Sequence, residues 1–496
     1  VSLDALIPLL VVLSSLLPGL VIFLLTEEQH LTRTVLNLAS AIVKLVLTGV
    51  LVWGVLRGRL YETRLPFLPG ADLLLRASSF SMLFVTLSAV LWLVTTVYAV
   101  GYLEGSPHRS RFFGFFSLSV ASTMGVALAG NPLTFLLFYE MLTLATYPLV
   151  VHRGTEEALR AGDLYLRYTI LGGTLLLAGV ISLYALVGSF EFTEGGALPE
   201  LEPQRRSILI VVFALLIGGL GVKAALFPLH AWLPVAMVAP APVSALLHAV
   251  AVVKAGAFGI TRVVYDVYGV RLVHELGVTE PLALLAATTI LYGSLKALFQ
   301  DDLKSRLAYS TVSQVSYIIL GVAVFGTLTT IGGIVHLVHQ GLMKITLFFC
   351  AGNLAEELGL HKVSELRGVG RRMPLTMGAF TLAALGMIGV PPLAGFVTKW
   401  YLGIGALEAG QPWVVGVLLV SSLLNAAYFL PIVCDAWFRE PAAPWPGAGR
   451  RVEVGLPLLL PTLVTAALAL AVGLFADTPL SPLGWAKLIA EREFRP

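Results

Sequence analysis

The chain has 496 residues, of which 57% are hydrophobic and only 12% charged, with a mean hydropathy of +0.88. That composition excludes a soluble globular protein and calls for a bilayer as the solvent. A net charge of +3, with no basic run, gives no reason to expect a nucleic-acid partner.

Apolar runs long enough to cross a hydrocarbon core of about 30 Å fall at 4–25, 34–56, 78–100, 112–129, 133–151, 163–188 and 207–227. A second set follows at 240–265, 280–299, 306–325, 330–351, 375–407, 412–436 and 456–475. These runs are continuous rather than alternating and exceed the roughly ten residues of a barrel strand. The predicted fold is therefore an all-α integral membrane protein of about fourteen helices, one polytopic domain over 1–496. The first run lacks a basic flank and a small-residue cleavage site, so it is expected to span rather than to be a cleaved signal. The stretches 57–77 and 189–206 read as polar loops.

If the helices alternate, Arg109, Arg111, Arg153, Arg160, Lys304, Arg306, Lys362, Arg367, Arg371 and Arg372 share one side, opposite Arg57, Arg59 and Arg64. The positive-inside rule then puts both termini on the non-cytoplasmic side. Cys350 and Cys434 lie in apolar segments without partner spacing and read as buried small hydrophobes. No CxxC pair, haem motif or dinucleotide fingerprint is present, so no cofactor is expected, and no acid or cysteine completes a metal site beside the histidines.

Charge inside the runs is sorted by type. Six of nine lysines (Lys44, Lys223, Lys254, Lys296, Lys344, Lys399) lie in apolar runs, while arginines keep to loops and helix ends. Arginine keeps its proton in proteins, whereas buried lysine gives it up readily, so the sorting separates fixed from titratable charge. A charge at the bilayer centre costs at least ~2.5–3.5 kcal/mol, so these amines must face one another or water. Lys44 and Lys296 are expected near helix ends, where they snorkel; the other four are too central for that.

Glu140, in "NPLTFLLFYEMLTLATYPLV", is the one acid deep in a run. It is expected to pair with Lys223, as a proton-handling pair or as a structural helix–helix ion pair. Asp163 and Arg167, four apart, read as a structural pair. His248 precedes Lys254 by six residues, within two turns but about 120° off its stripe, so water would have to bridge them. His336 and His339 precede Lys344, and His336 shares its face. Neutral imidazoles between lysines make relay stations, and Thr143, Thr146, Ser244, Ser310, Ser313 and Ser316 offer hydroxyls to extend the line.

Pro228 follows Lys223 by five residues, and Pro391 and Pro392 precede Lys399. Each interrupts a helix and frees carbonyls, which membrane depth tolerates only where protein or water covers them. Two such breaks in opposite halves point to inverted repeats with an ion path near the midplane. No buried acid in the second half answers Glu140.

The stretches "FYEMLTLATYPLV", "VKAALFPLHAWLPVAMVAPAPVSALLHAVAVVKAGAFGI", "DDLKSRLAYSTVSQVSYIILG" and "GVPPLAGFVTKW" resemble the antiporter-like subunits shared by Mrp-type cation/proton antiporters and respiratory complex I. The resemblance covers roughly residues 80–435. It implies two inverted five-helix repeats, each with a broken helix: helices 1–3 over 1–105, repeats over 106–270 and 271–440, and a last helix with its tail over 441–496. It also implies a Glu140–Lys223 pair, an axis through His248 and Lys254, and its continuation through Lys344 and Lys399. Gln340 stands where many relatives carry histidine, and His336 or His339 would substitute. By length the Mrp D-type subunit fits best.

The implied function is proton translocation within a multisubunit Na+/H+ antiporter of a bacterial or archaeal cytoplasmic membrane, with other membrane subunits, protons and Na+ as partners. Opening of the Glu140–Lys223 pair would send the proton of Lys223 towards Lys254, Lys344 and Lys399. The rival readings are a proton-channel subunit of a complex I-like dehydrogenase, membrane hydrogenase or inorganic-carbon uptake complex; a self-sufficient secondary transporter; and a membrane anchor with merely structural charges.

Overall fold

The computed structural model describes residues 3–68, 70–198, 205–441 and 452–494. Two apolar helices, α1 (Leu3–Phe23) and α2 (His30–Leu56), lead into a hairpin of β1 (Glu62–Leu68) and β2 (Ala71–Arg76). Then follow α3 (Ser79–Tyr102), α4 (Arg109–Leu128), α5 (Pro132–Val150), α6 (Glu156–Val187) and α7 (Arg206–Lys223). Polar residues at the membrane edges start several of these helices. Ser78, Asn131 and Thr155 accept the amides of Ser81, Thr134 and Ala158, satisfying donors that have no partner within the helix.

After α7 the chain breaks, makes the short α8 (Trp232–Val235), and re-enters as a spanning segment over Ala241–Tyr268. That segment comprises α9 (Ala241–Ala245), a π-turn at Leu246–Val250, α10 (Val252–Arg262) and a second π-turn at Val263–Tyr268. A connector, α11 (Val270–Leu276), precedes α12 (Thr279–Leu298), α13 (Leu303–Ala323) and the long α14 (Thr327–Leu358). The short α15 (Val369–Arg372) leads to the second break, between α16 (Pro374–Ile388) and α17 (Ala394–Glu408). The chain closes with α18 (Trp413–Phe438), α19 (Leu456–Leu474) and α20 (Pro482–Glu493).

Twelve helices among the described residues are long and apolar enough to cross a membrane. The run predicted at 306–325 is α13, which carries Lys304 and Arg306 at its start, and the run at 375–407 is the pair α16 and α17. Both π-turn segments of Ala241–Tyr268 and the middle of α14 are wholly buried, whereas α2 and α6 are largely exposed. Outward-facing Leu24, Leu144 and Leu423 give an apolar exterior suited to lipid. Polarity is therefore inverted relative to a soluble protein, with hydroxyls, amines and imidazoles in the centre.

Several departures from the sequence reading lie in the connections and the tail. The expected loop 57–77 contains the hairpin, pinned by Glu62, which binds Arg64 and Arg76 at 2.6 Å each, while both arginines also reach Glu191 of the next loop. Residues 199–204 of the expected loop 189–206 lie outside the described residues. The tail forms α20, which returns to the bundle through Glu493, whose carboxylate accepts the Gly195 amide at 3.0 Å. Cys350 is buried as expected, but Cys434 is exposed because α18 is a peripheral helix.

Candidate functional site

The first break sits immediately after Lys223, the last residue of α7. Ala225 takes a left-handed conformation at φ 56°, and the Val222 carbonyl accepts both the Ala225 amide at 3.1 Å and Trp232 Nε1 at 2.7 Å. The Phe227 amide donates to Thr289 Oγ1 at 3.1 Å. Lys223 is thus left to answer to α5: its amine donates to the Tyr139 carbonyl and lies 3.4 Å from the centroid of that residue's ring.

Glu140, one residue on, points elsewhere. Its carboxylate packs on Gly173 of α6, where an added Cβ would meet Oε1 at 2.6 Å, and Oε1 has no hydrogen-bond partner. Among the described residues Glu140 and Lys223 make no direct ion pair, since the amine is taken by the Tyr139 carbonyl and ring, although each lies within reach of the other's charge. Asp163 and Arg167 do pair, at 2.6 Å on an exposed face.

The other amines follow the same rule. Each rests on a backbone carbonyl of a neighbouring segment rather than on an acid. Lys254 donates to Leu337 of α14 at 2.7 Å, and Lys344 to Leu307 of α13 at 3.1 Å. Lys399 donates to Met387 and Ile388 at 3.3 and 2.6 Å, the last carbonyls of α16, and to Ser422 Oγ at 2.8 Å. The second break therefore supplies the acceptors for the lysine that follows it.

Around the middle of α14 these groups converge. His336 and His339 both place Nδ1 on Thr398 Oγ1, at 3.2 and 3.0 Å, one residue before Lys399. Lys254 binds the carbonyl next to His336. His248 sits on the first π-turn, a distortion that recurs at functional sites. It is fully buried with its ring 4.6 Å from Phe348, and neither ring nitrogen has a partner in the chain. The Nε2 atoms of both α14 histidines, the amides of Gln314 and Gln340 and the hydroxyl of Tyr317 are likewise unpartnered. Since leaving such a group buried and unsatisfied costs about 1–3 kcal/mol, the cluster is suited to hydrogen-bonded water, the medium through which protons hop between amines and imidazoles.

The hydroxyls expected to extend this line are mostly engaged locally. Thr146 meets Tyr165 at 2.7 Å, Ser313 meets Ser294 at 2.8 Å, Ser316 bonds its own helix, and Ser244 only grazes the carbonyls of Ala239 and Pro240. Ser310 accepts from Tyr428 at 2.8 Å, and Thr143 is unpartnered. Three participants escaped the sequence reading: Thr398, Ser422 and Lys304. Lys304, assigned to a loop, is half-buried at the start of α13 and donates to the Ala239 carbonyl at 2.5 Å. Thr398 was signalled only by its adjacency to Lys399 after the break.

Cavities flank the central segment at its two ends. One of about 640 Å³ is lined by Arg153, Ala241, Asp302, Lys304 and His361. The other, about 420 Å³, is lined by Arg76, Glu194, Arg262, Asp266 and Glu493. Ala241 opens the segment and Asp266 lies near its end, so the cavities stand at opposite membrane faces.

Lys296 is exposed near the end of α12, with its amine 5.9 Å from the Tyr292 ring, as a snorkelling residue should be. Lys44 does not snorkel. It has no exposed surface, because it lies in mid-helix on the inward face of α2.

A polytopic α-helical protein with broken helices, buried amines and imidazoles on one central helix is of the ion-translocating class. The chain belongs to the NADH:quinone oxidoreductase/Mrp antiporter transmembrane family, which residues 129–425, more than half of the chain, match. It is 40% identical to NADH-quinone oxidoreductase subunit N of Desulforudis audaxviator, over 80% of this chain and 81% of that one. It is 30% identical to the D-type subunit of the Na(+)/H(+) antiporter of Bacillus subtilis, over 94% and 93%. Among solved structures, a chain of the Mrp complex from Dietzia sp. superposes with a TM-score of 0.87 at 25% identity, covering 100% of this chain and 98% of that one. A chain of respiratory complex I from Thermus thermophilus gives 0.81 at 25% identity, covering 98% and 100%.

Proposed function

We propose that this chain is the proton-translocating, antiporter-like subunit of a multisubunit Mrp-type Na+/H+ antiporter. Protons pass along Glu140, Lys223, His248, Lys254, His336, His339, Lys344 and Lys399, between repeats at 106–270 and 271–440, with both termini on the non-cytoplasmic side. The observation that carries this reading is that four amines without acid partners, Lys223, Lys254 and Lys344 buried and Lys399 half-buried, rest on backbone carbonyls, the last three about one central helix beside unpartnered imidazoles. Neutral and protonated amines are both tolerable there, since a carbonyl accepts a hydrogen bond from either. The near full-length match to a D-type antiporter subunit and the fold shared with the Mrp complex support the antiporter assignment.

The 40% identity to an N-type oxidoreductase subunit favours a second reading, a proton channel of an NADH:quinone oxidoreductase-type complex. Purifying the native assembly separates the two, since antiporter subunits alone support the first and redox subunits the second. In vesicles holding that assembly, Lys223→Ala is expected to abolish ΔpH-coupled cation exchange. Unchanged exchange contradicts the proposal.

A further inference from the structure

Helix α2 carries its polar residues inside. Arg33, Asn37, Ser40, Lys44 and Thr48 follow the spacing of one helical face and are all buried, whereas Val35, Ile42, Val46 and Trp53 are exposed. At the centre of the stripe the Lys44 amine donates to Ser15 of α1 and lies 4.2 Å from the centroid of the Trp92 ring on α3. Because α2 and α3 are consecutive and antiparallel, Lys44 over Trp92 sets Thr48 level with Ser88. Thr48 Oγ1, Ser88 Oγ and Trp92 Nε1 have no hydrogen-bond partner in the chain.

Polar residues extend from Lys44 towards one face. Ser40 leads to Asn37, whose Oδ1 accepts from Ser117 Oγ at 3.2 Å, and then to Arg33, which donates to Ser110 Oγ at 2.7 Å. Towards the other face the register set by Lys44 and Trp92 brings the buried Leu51 level with Val85, between the Thr48–Ser88 level and the cavity of about 420 Å³ that Val55 and Ser79 line. The central axis lies behind α3, where Leu87 abuts Gly341 and Phe84 packs on Phe258 at 5.0 Å. An apolar wall thus divides the two polar files.

We infer that Lys44 is a protonatable station on a second polar file, through α1–α4, whose proton transfers are coupled to those of the central axis so that neither file conducts alone, and which is closed by the Leu51–Val85 layer. The inference rests on the reading that this chain moves protons. Helix glue does not account for the pattern. Interhelical hydrogen bonds yield about 0.6–2 kcal/mol each; Lys44 makes one, to Ser15, but Thr48 Oγ1, Ser88 Oγ and Trp92 Nε1 beside it make none and so contribute no such gain. The charged groups of the surrounding helices stand at their ends: Asp4 on α1, His30 and Arg33 on α2, Arg109 and Arg111 on α4. Helix α3 adds only Tyr98, stacked on Phe349, and Tyr102. Among the described residues of these helices, Lys44 is therefore the one group in mid-membrane able to take up and release a proton.

Proton flux in vesicles holding the intact complex tests this. Lys44→Met and Lys44→Arg are both expected to cut flux at least about fivefold, equivalent to about 1 kcal/mol of barrier, because arginine keeps the charge but never releases its proton. Thr48→Val with Ser88→Ala removes two hydroxyls that hold nothing in the chain, and should lower flux while leaving assembly intact. Flux restored by arginine, or unchanged in the hydroxyl variant, overturns the proposal. If Lys44→Met does not assemble, the hydroxyl variant decides. Lys254→Met serves as control: flux lost there but kept in the α2 variants sinks only the second file, whereas flux kept in Lys254→Met sinks the central reading.

Discussion

The two broken helices solve the same problem in opposite ways. At the first break neutral groups serve the backbone, with Trp232 sharing the Val222 carbonyl with the Ala225 amide and Thr289 taking the Phe227 amide. Lys223 precedes that break and reaches sideways to α5. At the second break the lysine itself satisfies the backbone: Lys399 holds the carbonyls of Met387 and Ile388, with Asn425 sharing Met387 at 3.2 Å. A lysine at the C-terminal end of a half-helix is also favoured by the helix dipole. In the first half, then, backbone repair and proton handling belong to different residues. In the second they coincide, which gives a physical reason why that half has an amine at its break and no acid.

The comparison breaks most visibly at the lysines. Lys223→Met is expected to lower proton flux about a hundredfold, or about 2.7 kcal/mol of barrier, with little loss of stability, since the Tyr139 carbonyl remains within its helix. Lys399→Met should lower flux as much and in addition cost about 1–3 kcal/mol of stability, because it strands the Ile388 carbonyl at the break while Asn425 keeps that of Met387. Thermal melting of the two purified variants checks the asymmetry, and equal melting temperatures would erase it.

Glu140→Gln sharpens the first half. With no direct ion pair to Lys223, it is expected to slow flux about tenfold, a smaller effect than Lys223→Met. Were the two groups a tight buried pair, removing either partner would be comparably damaging. The smallest effect belongs to Trp232→Phe. It should leave flux within about twofold while costing about 1 kcal/mol of stability for the lost indole hydrogen bond. A large flux loss there would mean that the first break, too, joins repair to transport.

Much of this was legible in the sequence, for reasons that also mark the limits. Helix positions follow from hydropathy because lipid forbids unpaired backbone, and Pro228 and Pro391 announce both breaks. Lys254, Lys344 and Lys399 were placed inside by run length alone. Rotation about a helix is less accessible: Tyr139 and Glu140 are adjacent, yet only the first meets Lys223. Lys44 was misjudged because burial depends on which face of α2 it occupies: it stands on the inward face with Asn37, Ser40 and Thr48. The 62–76 hairpin depends on Glu191, more than a hundred residues away, which no local pattern records.

The central claim is that these amines work by losing and regaining a proton. Lys254→Arg tests it most directly, since arginine supplies a permanent cation and donors for the Leu337 carbonyl but cannot deprotonate. In vesicles holding the intact complex, the account predicts assembly with proton flux reduced at least about tenfold. Flux equal to that of the unaltered protein would contradict it.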